Sequence, residues 1–283
     1  MSVPGKKIKH FLKLIRPSIC IISVFSFLIS AFIVFPHQME KALMASLPVF
    51  LTTAFGNVIN DFYDVDIDKI NRPNRPLPSG KIKINEAKIF AIVLALFSLL
   101  FSLFLSFLFF LLDLFNIFIA FIYAKKVKRT IFGNLLDSYL SASCFLAPLF
   151  LFETMKGFKI LLLISLTSCL GNYSREILKD IEDIEGDLSY GATTLPIKMG
   201  ERFAFFLSFL MYLLALILGY SLYFFSIFNK LYLVFLFLSS SLILNFLMCF
   251  KKKDFKSCSS TLQKRIKIAM FLMLLGYFLG SLG

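Results

Sequence analysis

The chain has 283 residues, 58% of them hydrophobic, with 37 Phe and no Trp, and it carries a formal net charge of +13. Its mean hydropathy of +0.82 exceeds what a water-soluble domain of this size needs for a core, and several apolar runs reach the roughly 20 residues of a membrane-crossing helix. Composition therefore excludes a soluble globular fold, and cations placed beside apolar runs read as topology signals that touch anionic lipid, not as a nucleic-acid surface.

In chain order, the amino-terminal segment holds Lys6, Lys7, Lys9, Lys13 and Arg16 ahead of a first span at residues 17–36. That run is long for a signal sequence and no small-x-small cleavage site follows it, so the amino terminus is expected to remain on the protein. A second span, 40–59, leads into Asn60-Asp61-Phe62-Tyr63-Asp64-Val65-Asp66-Ile67-Asp68. The loop after it, Arg72-Pro73-Asn74-Arg75-Pro76-Leu77-Pro78-Ser79-Gly80, has three prolines and a glycine, which constrain where Arg72 and Arg75 point.

Residues 87–124 must be two helices, because as one they would extend about 57 Å, nearly twice the hydrocarbon core. Spans are read at 86–105 and 106–124, with Asp113 as a residue of the turn, of the start of the fourth span, or of a buried polar contact. The next connection, Tyr123-Ala124-Lys125-Lys126-Val127-Lys128-Arg129, is basic. Spans at 133–152 and 158–176 bring the chain to Asp180-Ile181-Glu182-Asp183-Ile184-Glu185-Gly186-Asp187, and spans at 203–226, 231–250 and 266–282 complete nine. The eighth connection, with Lys251, Lys252, Lys253, Lys256, Lys264, Arg265 and Lys267, lacks interleaved carboxylates and reads as a headgroup contact.

Cations crowd alternate connections, while the others hold only Lys41, Lys156, Lys159 and Lys230. This alternation supports nine helices with the amino terminus inside and the carboxyl terminus outside, which puts both acidic clusters on the cytoplasmic side. The five cysteines form no C-x-x-C pair and the two histidines are far apart, so neither a zinc site nor a disulfide framework is expected.

On a helix, positions four apart drift only about 40°, so Asn60, Asp64 and Asp68 share a stripe with Asp61 beside it. Glu176, Asp180, Asp183 and Asp187 form a second stripe, from which Glu182 and Glu185 point away. Facing carboxylates repel at low dielectric unless a cation holds them, and hard oxygen ligands with incomplete protein coordination suit Mg²⁺, completed by water and phosphate oxygens. Arginine forks in the following loop suit a diphosphate, and the Phe-rich spans offer an apolar wall for a lipid tail on it. A CDP-alcohol phosphotransferase and a divalent-cation transporter are the rival classes. The first lacks its glycine and Ala-Arg pattern here, and the second normally keeps its carboxylates at the midplane.

The motif N-x-x-x-D-x-x-x-D at Asn60, Asp64 and Asp68, followed by R-P-N-R-P-L-P-S-G, resembles the UbiA superfamily of intramembrane prenyltransferases. Asp183-x-x-x-Asp187, preceded by Tyr173 and Arg175-Glu176-x-x-x-Asp180, is similar to that family's second metal motif, and Tyr123 with Lys128-Arg129 and Gly133-Asn134 to its basic loop. The resemblance implies an all-α integral membrane fold, a single domain over 1–283, with nine transmembrane helices in a ring around a central cavity and cytoplasmic capping loops. It implies two Mg²⁺ ions between the acidic stripes and an isoprenyl diphosphate donor, with metal ligands Asn60, Asp64, Asp68, Asp183 and Asp187. Arg72, Arg75, Lys128, Arg129 and Tyr123 are expected at the diphosphate, Arg16, Lys125 and Lys126 at a phosphorylated lipid acceptor, and Asp61 or Asp180 as proton acceptor. Within the superfamily the motif wording looks most like the archaeal digeranylgeranylglyceryl phosphate synthases, which join geranylgeranyl to the sn-2 hydroxyl of geranylgeranylglyceryl phosphate. Quinone and chlorophyll prenyltransferases share much of the loop, so an aromatic acceptor stays open.

Overall fold

A computed structural model describes residues 4–225, 227–252 and 254–282, so Lys253 lies outside the described residues. Helices dominate, and among the described residues no strand forms beyond one isolated pairing of Thr130 with Thr193. Every predicted span falls on a helix: α2 (Pro17–Val34), α3 (Met39–Tyr63), α5 (Ile84–Leu105), α6 (Phe107–Ile122), α7 (Gly133–Leu151), α8 (Phe158–Glu182), α11 (Glu201–Phe224), the pair α12 (Lys230–Ser240) and α13 (Leu242–Lys252), and α14 (Phe255–Gly280). Shorter helices fill the connections: α1 (Pro4–Ile15), α4 (Val65–Asn71), α9 (Ile184–Ser189) and α10 (Leu195–Met199).

Among the described residues, seven helical segments are long and apolar enough to cross a membrane. The predicted spans at 158–176 and 266–282 fall outside that set for a visible reason. Asn172, Arg175 and Glu176 make the second half of α8 polar, and α14 carries Lys264, Arg265 and Lys267. Phenylalanines such as Phe104 and Phe237 stand outward at 80% and 73% exposure, which suits hydrocarbon and not water. The chain is a multi-pass membrane protein.

Helix ends follow their local chemistry. Ser106 caps α6 by accepting from the Phe109 N–H at 3.2 Å, which sets the predicted break between the third and fourth spans. Asn229 caps α12 by accepting from the Leu231 N–H at 2.9 Å, and Gly157 and Gly200 start α8 and α11 with positive φ.

By internal packing the chain divides into two compact units, one of residues up to 126 with 147–156, the other of 127–146 with 157–283. In the first, α1, α2, α5 and α6 all pack on α3. Asp113 lies within α6, buried, and accepts from Thr52, from Ser98 at 2.7 Å and from Ser102 at 3.2 Å, so the polar-contact reading is the one realised. In the second unit α8 packs on α11 and α14, and α12 on α14. Gly280 permits the latter approach, since a Cβ there would meet the Tyr232 Cβ at 2.9 Å. The rings of Phe205, Phe209, Tyr212, Phe246, Phe250 and Phe255 fill one apolar cluster. One expectation is corrected here: Cys249 and Cys258 form a disulfide, their Cα atoms 5.9 Å apart, because α13 and α14 pack against each other. That pairing comes from tertiary packing and leaves no spacing signature.

Candidate active site

Both acidic motifs are built the same way. α3 ends at Tyr63, Asp64 takes φ −92° and ψ 1°, and α4 resumes at Val65; α8 ends at Glu182, Asp183 takes φ −94° and ψ 6°, and α9 resumes at Ile184. This sparsely occupied backbone region is common at active sites. Each joint keeps its ladder, with Asp64 N–H to Asn60 C=O at 3.1 Å and Asp68 N–H to Asp64 C=O at 2.8 Å, matched by Asp183 to Lys179 at 3.0 Å and Asp187 to Asp183 at 3.0 Å. The helical stripes expected from spacing are thus kept, each with non-helical backbone angles at one acid, Asp64 or Asp183.

In the first unit Asp61, Asp64 and Asp68 are buried. Arg16 donates to Asp61 Oδ1, and the Arg75 Nη1 group donates to Asp61 Oδ1 at 3.2 Å and to Asp68 Oδ2 at 2.5 Å. Arg16 reaches Asp61 because it adopts φ 51° and ψ 71° between α1 and α2, and because Pro17 starts α2 immediately after it. Arg75 is presented by the proline loop, anchored through buried Pro76, Leu77 and Ile82. Arg72 caps α4 through its N–H to the Asp68 C=O at 2.9 Å, and its side chain is exposed. The loop's two arginines therefore differ: one is fixed on carboxylates, the other faces outward.

In the second unit Asp180 accepts from Asn134 Nδ2 at 2.7 Å. It lies one turn beyond the apolar run of α8, and burial, with Glu176 and Asp187 nearby, pushes its carboxyl up to about 7. Burial and the neighbouring Asp183 also raise Asp187, opposed by Lys179, Arg129 and Lys128. Glu176 is buried and paired with Arg175 and with Lys179 at 3.0 Å. Glu182 and Glu185 do point away, as spacing requires: Glu182 accepts from Ser260 at 2.8 Å and Gln263 at 3.1 Å, and Glu185 pairs with Lys256 at 2.6 Å.

The basic connection continues α6 as a wider π turn over Tyr123–Val127. Tyr123 is buried, Lys125 and Lys126 are exposed, and the Lys125 ammonium sits 5.4 Å from the Phe121 ring centre. Within the second unit, the Thr193 N–H donates to the Arg129 C=O at 2.7 Å. Gly133 closes this turn: a Cβ there would lie 2.4 Å from the Lys128 carbonyl oxygen, so no other residue fits without moving the basic pair.

Sequence reasoning passed over Asp137, whose carboxylate accepts from Asn172 Nδ2 at 3.0 Å, and gave no role to Asn134, Asn172 or Lys179. The signal was present as a polar stripe, Asn134, Asp137, Ser138 and Ser141, inside an otherwise apolar span.

Among the described residues no three His, Cys, Asp or Glu side chains form a ready metal cage. The donors nonetheless fit a hard divalent ion that keeps open positions: Asn60 Oδ1 is buried without a hydrogen-bond partner, and hard carboxylate oxygens flank it in sequence. An orphaned amide oxygen is costly unless something cationic meets it.

Comparison with known proteins gives a consistent result. Residues 20–275 match the model of the UbiA prenyltransferase family. The chain is 39% identical over 289 residues to the digeranylgeranylglyceryl phosphate synthase of Methanocaldococcus jannaschii, covering 100% of this chain and 99% of that protein. A solved structure described as digeranylgeranylglyceryl phosphate synthase is similar at 35% identity and a TM-score of 0.82, with 97% and 98% of the two chains covered. A UbiA homologue from Archaeoglobus fulgidus, solved with GPP and Mg²⁺, shares the fold at 19% identity and a TM-score of 0.68, over 95% and 98%.

Proposed function

The chain belongs to the UbiA prenyltransferase family, and on that premise we propose that it transfers a geranylgeranyl group from geranylgeranyl diphosphate to the sn-2 hydroxyl of geranylgeranylglyceryl phosphate, releasing diphosphate. It is a prenyltransferase of archaeal membrane-lipid synthesis, in keeping with its full-length likeness to named synthases. The observation that carries the reading is the pair of matched acidic joints, each at the end of a long helix with cations on the same unit.

Asn60, Asp64 and Asp68 would hold Mg²⁺ in the first motif, and Asp183 and Asp187 in the second. Bound there, the ion supplies Lewis-acid neutralisation of diphosphate charge. Arg72, Arg75, Lys128, Arg129 and Tyr123 bind and orient the leaving diphosphate and stabilise its growing charge as the allylic C–O bond breaks. The acceptor hydroxyl then forms the new C–O bond, and Asp180 accepts its proton. Asp180 suits that task because its hydrogen bond comes from a neutral amide, whereas Asp61 is held by two guanidinium groups. Asp61 then acts as the residue that positions Arg16 and Arg75. Arg16, Lys125 and Lys126 remain the cations for the acceptor phosphate. We also propose nine crossings, α8 and α14 joining the seven, with the amino terminus and both acidic motifs on the cytoplasmic side, a reading supported by the alternation of basic connections.

The test is product analysis. Purified protein receives geranylgeranyl diphosphate and Mg²⁺ with either geranylgeranylglyceryl phosphate or 4-hydroxybenzoate. A prenylated glyceryl phosphate in the first reaction is the expected outcome, and product only in the second would replace this acceptor with an aromatic one.

A further inference from the structure

The amino-terminal helix has one flank packed and another that is exposed and, among the described residues, without a partner. On the packed flank, Phe11 meets the Phe90 ring edge-on at 4.9 Å, Lys7 pairs with Glu86 at 2.6 Å, and Leu14 is fully buried. At 3.6 residues per turn, Ile8 and Leu12 lie about 40° apart on a different face, with Lys9 and Lys13 as the next row round the helix. Ile8 is 61% and Leu12 50% exposed, and both lysines are exposed as well. The helix contains no acidic residue. Arg16, in the left-handed region, and Pro17 turn the chain out of α1, and the Asn57 side chain ties this corner by donating to the Ile15 C=O at 2.9 Å. Just past the corner, α2 exposes Ile19, Ile22 and Phe25, side chains that suit hydrocarbon.

We propose that α1 lies in the membrane surface and binds the anionic headgroups of glycerophospholipids, Ile8 and Leu12 entering the acyl boundary and Lys9 and Lys13 meeting lipid phosphates. The occupant is a lipid leaflet because the exposed apolar residues of α1 are followed directly in the chain by the exposed apolar residues of the membrane-crossing α2, and the charge on α1 is wholly positive. A basic row beside a shallow apolar ridge is the pattern of a helix that binds in the interface plane. The arrangement has a structural corollary. The residue after α1 is Arg16, whose guanidinium donates to Asp61, so one residue separates the surface helix from the first acidic motif.

The chain has no tryptophan, so Ile8→Trp gives its 283 residues a sole indole. Reconstituted in vesicles of phosphatidylcholine and phosphatidylglycerol, this variant should emit at short wavelength and be quenched by lipids brominated on the acyl chain. Brominated phosphatidylglycerol should quench with an apparent affinity about fivefold above brominated phosphatidylcholine, and Lys9→Gln with Lys13→Gln should remove the preference. Phe25→Trp, on α2, reports on correct insertion and should be quenched by either lipid. If Phe25→Trp is quenched while the indole at position 8 emits as in water, or if the two lipids quench position 8 equally, the proposal is overturned.

Discussion

Asp61 offers the sharpest test of how the first motif is held. It is buried at 4% exposure and accepts from two guanidinium groups whose side chains are 30% and 21% exposed. A hydrogen bond to a charged group is worth about 1.5–3 kcal/mol, and breaking a buried pair by removing one partner costs about 3–5 kcal/mol. Here Arg16 and Arg75 recover part of that from water, and Arg75 keeps Asp68, so Asp61→Asn should cost about 2–3 kcal/mol of stability. Arg16→Gln, which leaves Asp61 its second partner, should cost about 1.5 kcal/mol. If the pair is real, the double variant should cost about 1 kcal/mol less than the two single costs added together. The assay is unfolding of the purified protein in mixed micelles of mild detergent and dodecyl sulfate, followed by circular dichroism for the wild type, both single variants and the double variant. Additivity to within about 0.3 kcal/mol would show that Arg16 and Asp61 do not interact, and the positioning role given to Asp61 would go with it.

The carboxyl of Asp180, raised to about 7, predicts an acid limb in activity. A base must be ionised to take a proton, so the rate should fall as pH drops through about 7 and level off above it, and Asp180→Asn should lose both the limb and about two or more decades of turnover. Asp187 is raised as well, so protons compete with the ion: the Mg²⁺ concentration for half-maximal activity should increase as pH falls, and a value that does not move with pH would contradict the assignment. Glu182→Ala frees the end of α8 from Ser260 and Gln263, and by a loss of about 1–2 kcal/mol should raise the Mg²⁺ requirement about five- to thirtyfold while changing turnover at saturating Mg²⁺ little. Gly133→Ala must displace the Lys128 carbonyl, so KM for the diphosphate donor should increase about tenfold, a figure that donor-saturation kinetics would check.

What the sequence made legible was whatever repeats at short range. Apolar length located the long helices but not α1, α4, α9 or α10, and residues spaced by four placed Asn60, Asp64, Asp68, Asp183 and Asp187 on their stripes because the acids of both joints still bond four residues back. That same spacing hid the joints, since a change of backbone angles at one residue that keeps these bonds leaves no mark on periodicity. Partner choice was also hidden. Arg16 and Arg75 were legible as cations near phosphate, but their seat on Asp61 depends on a left-handed residue at the α1–α2 corner and on a loop anchored by Pro76, Leu77 and Ile82. Asp137 was masked by the apolar average of its helix, and Cys249 with Cys258 by the absence of a spacing rule for thiols that meet across a turn.

Asp113 bears on how the protein is made. An aspartate near the middle of a single apolar helix opposes insertion by about 2.5–3.5 kcal/mol. Its three hydroxyl partners, Thr52 on α3 and Ser98 and Ser102 on α5, all precede it in the chain. They have therefore left the ribosome before α6 does, and the carboxyl enters the bilayer beside groups already waiting to receive it. Biosynthetic order thus solves a problem that α6 alone could not.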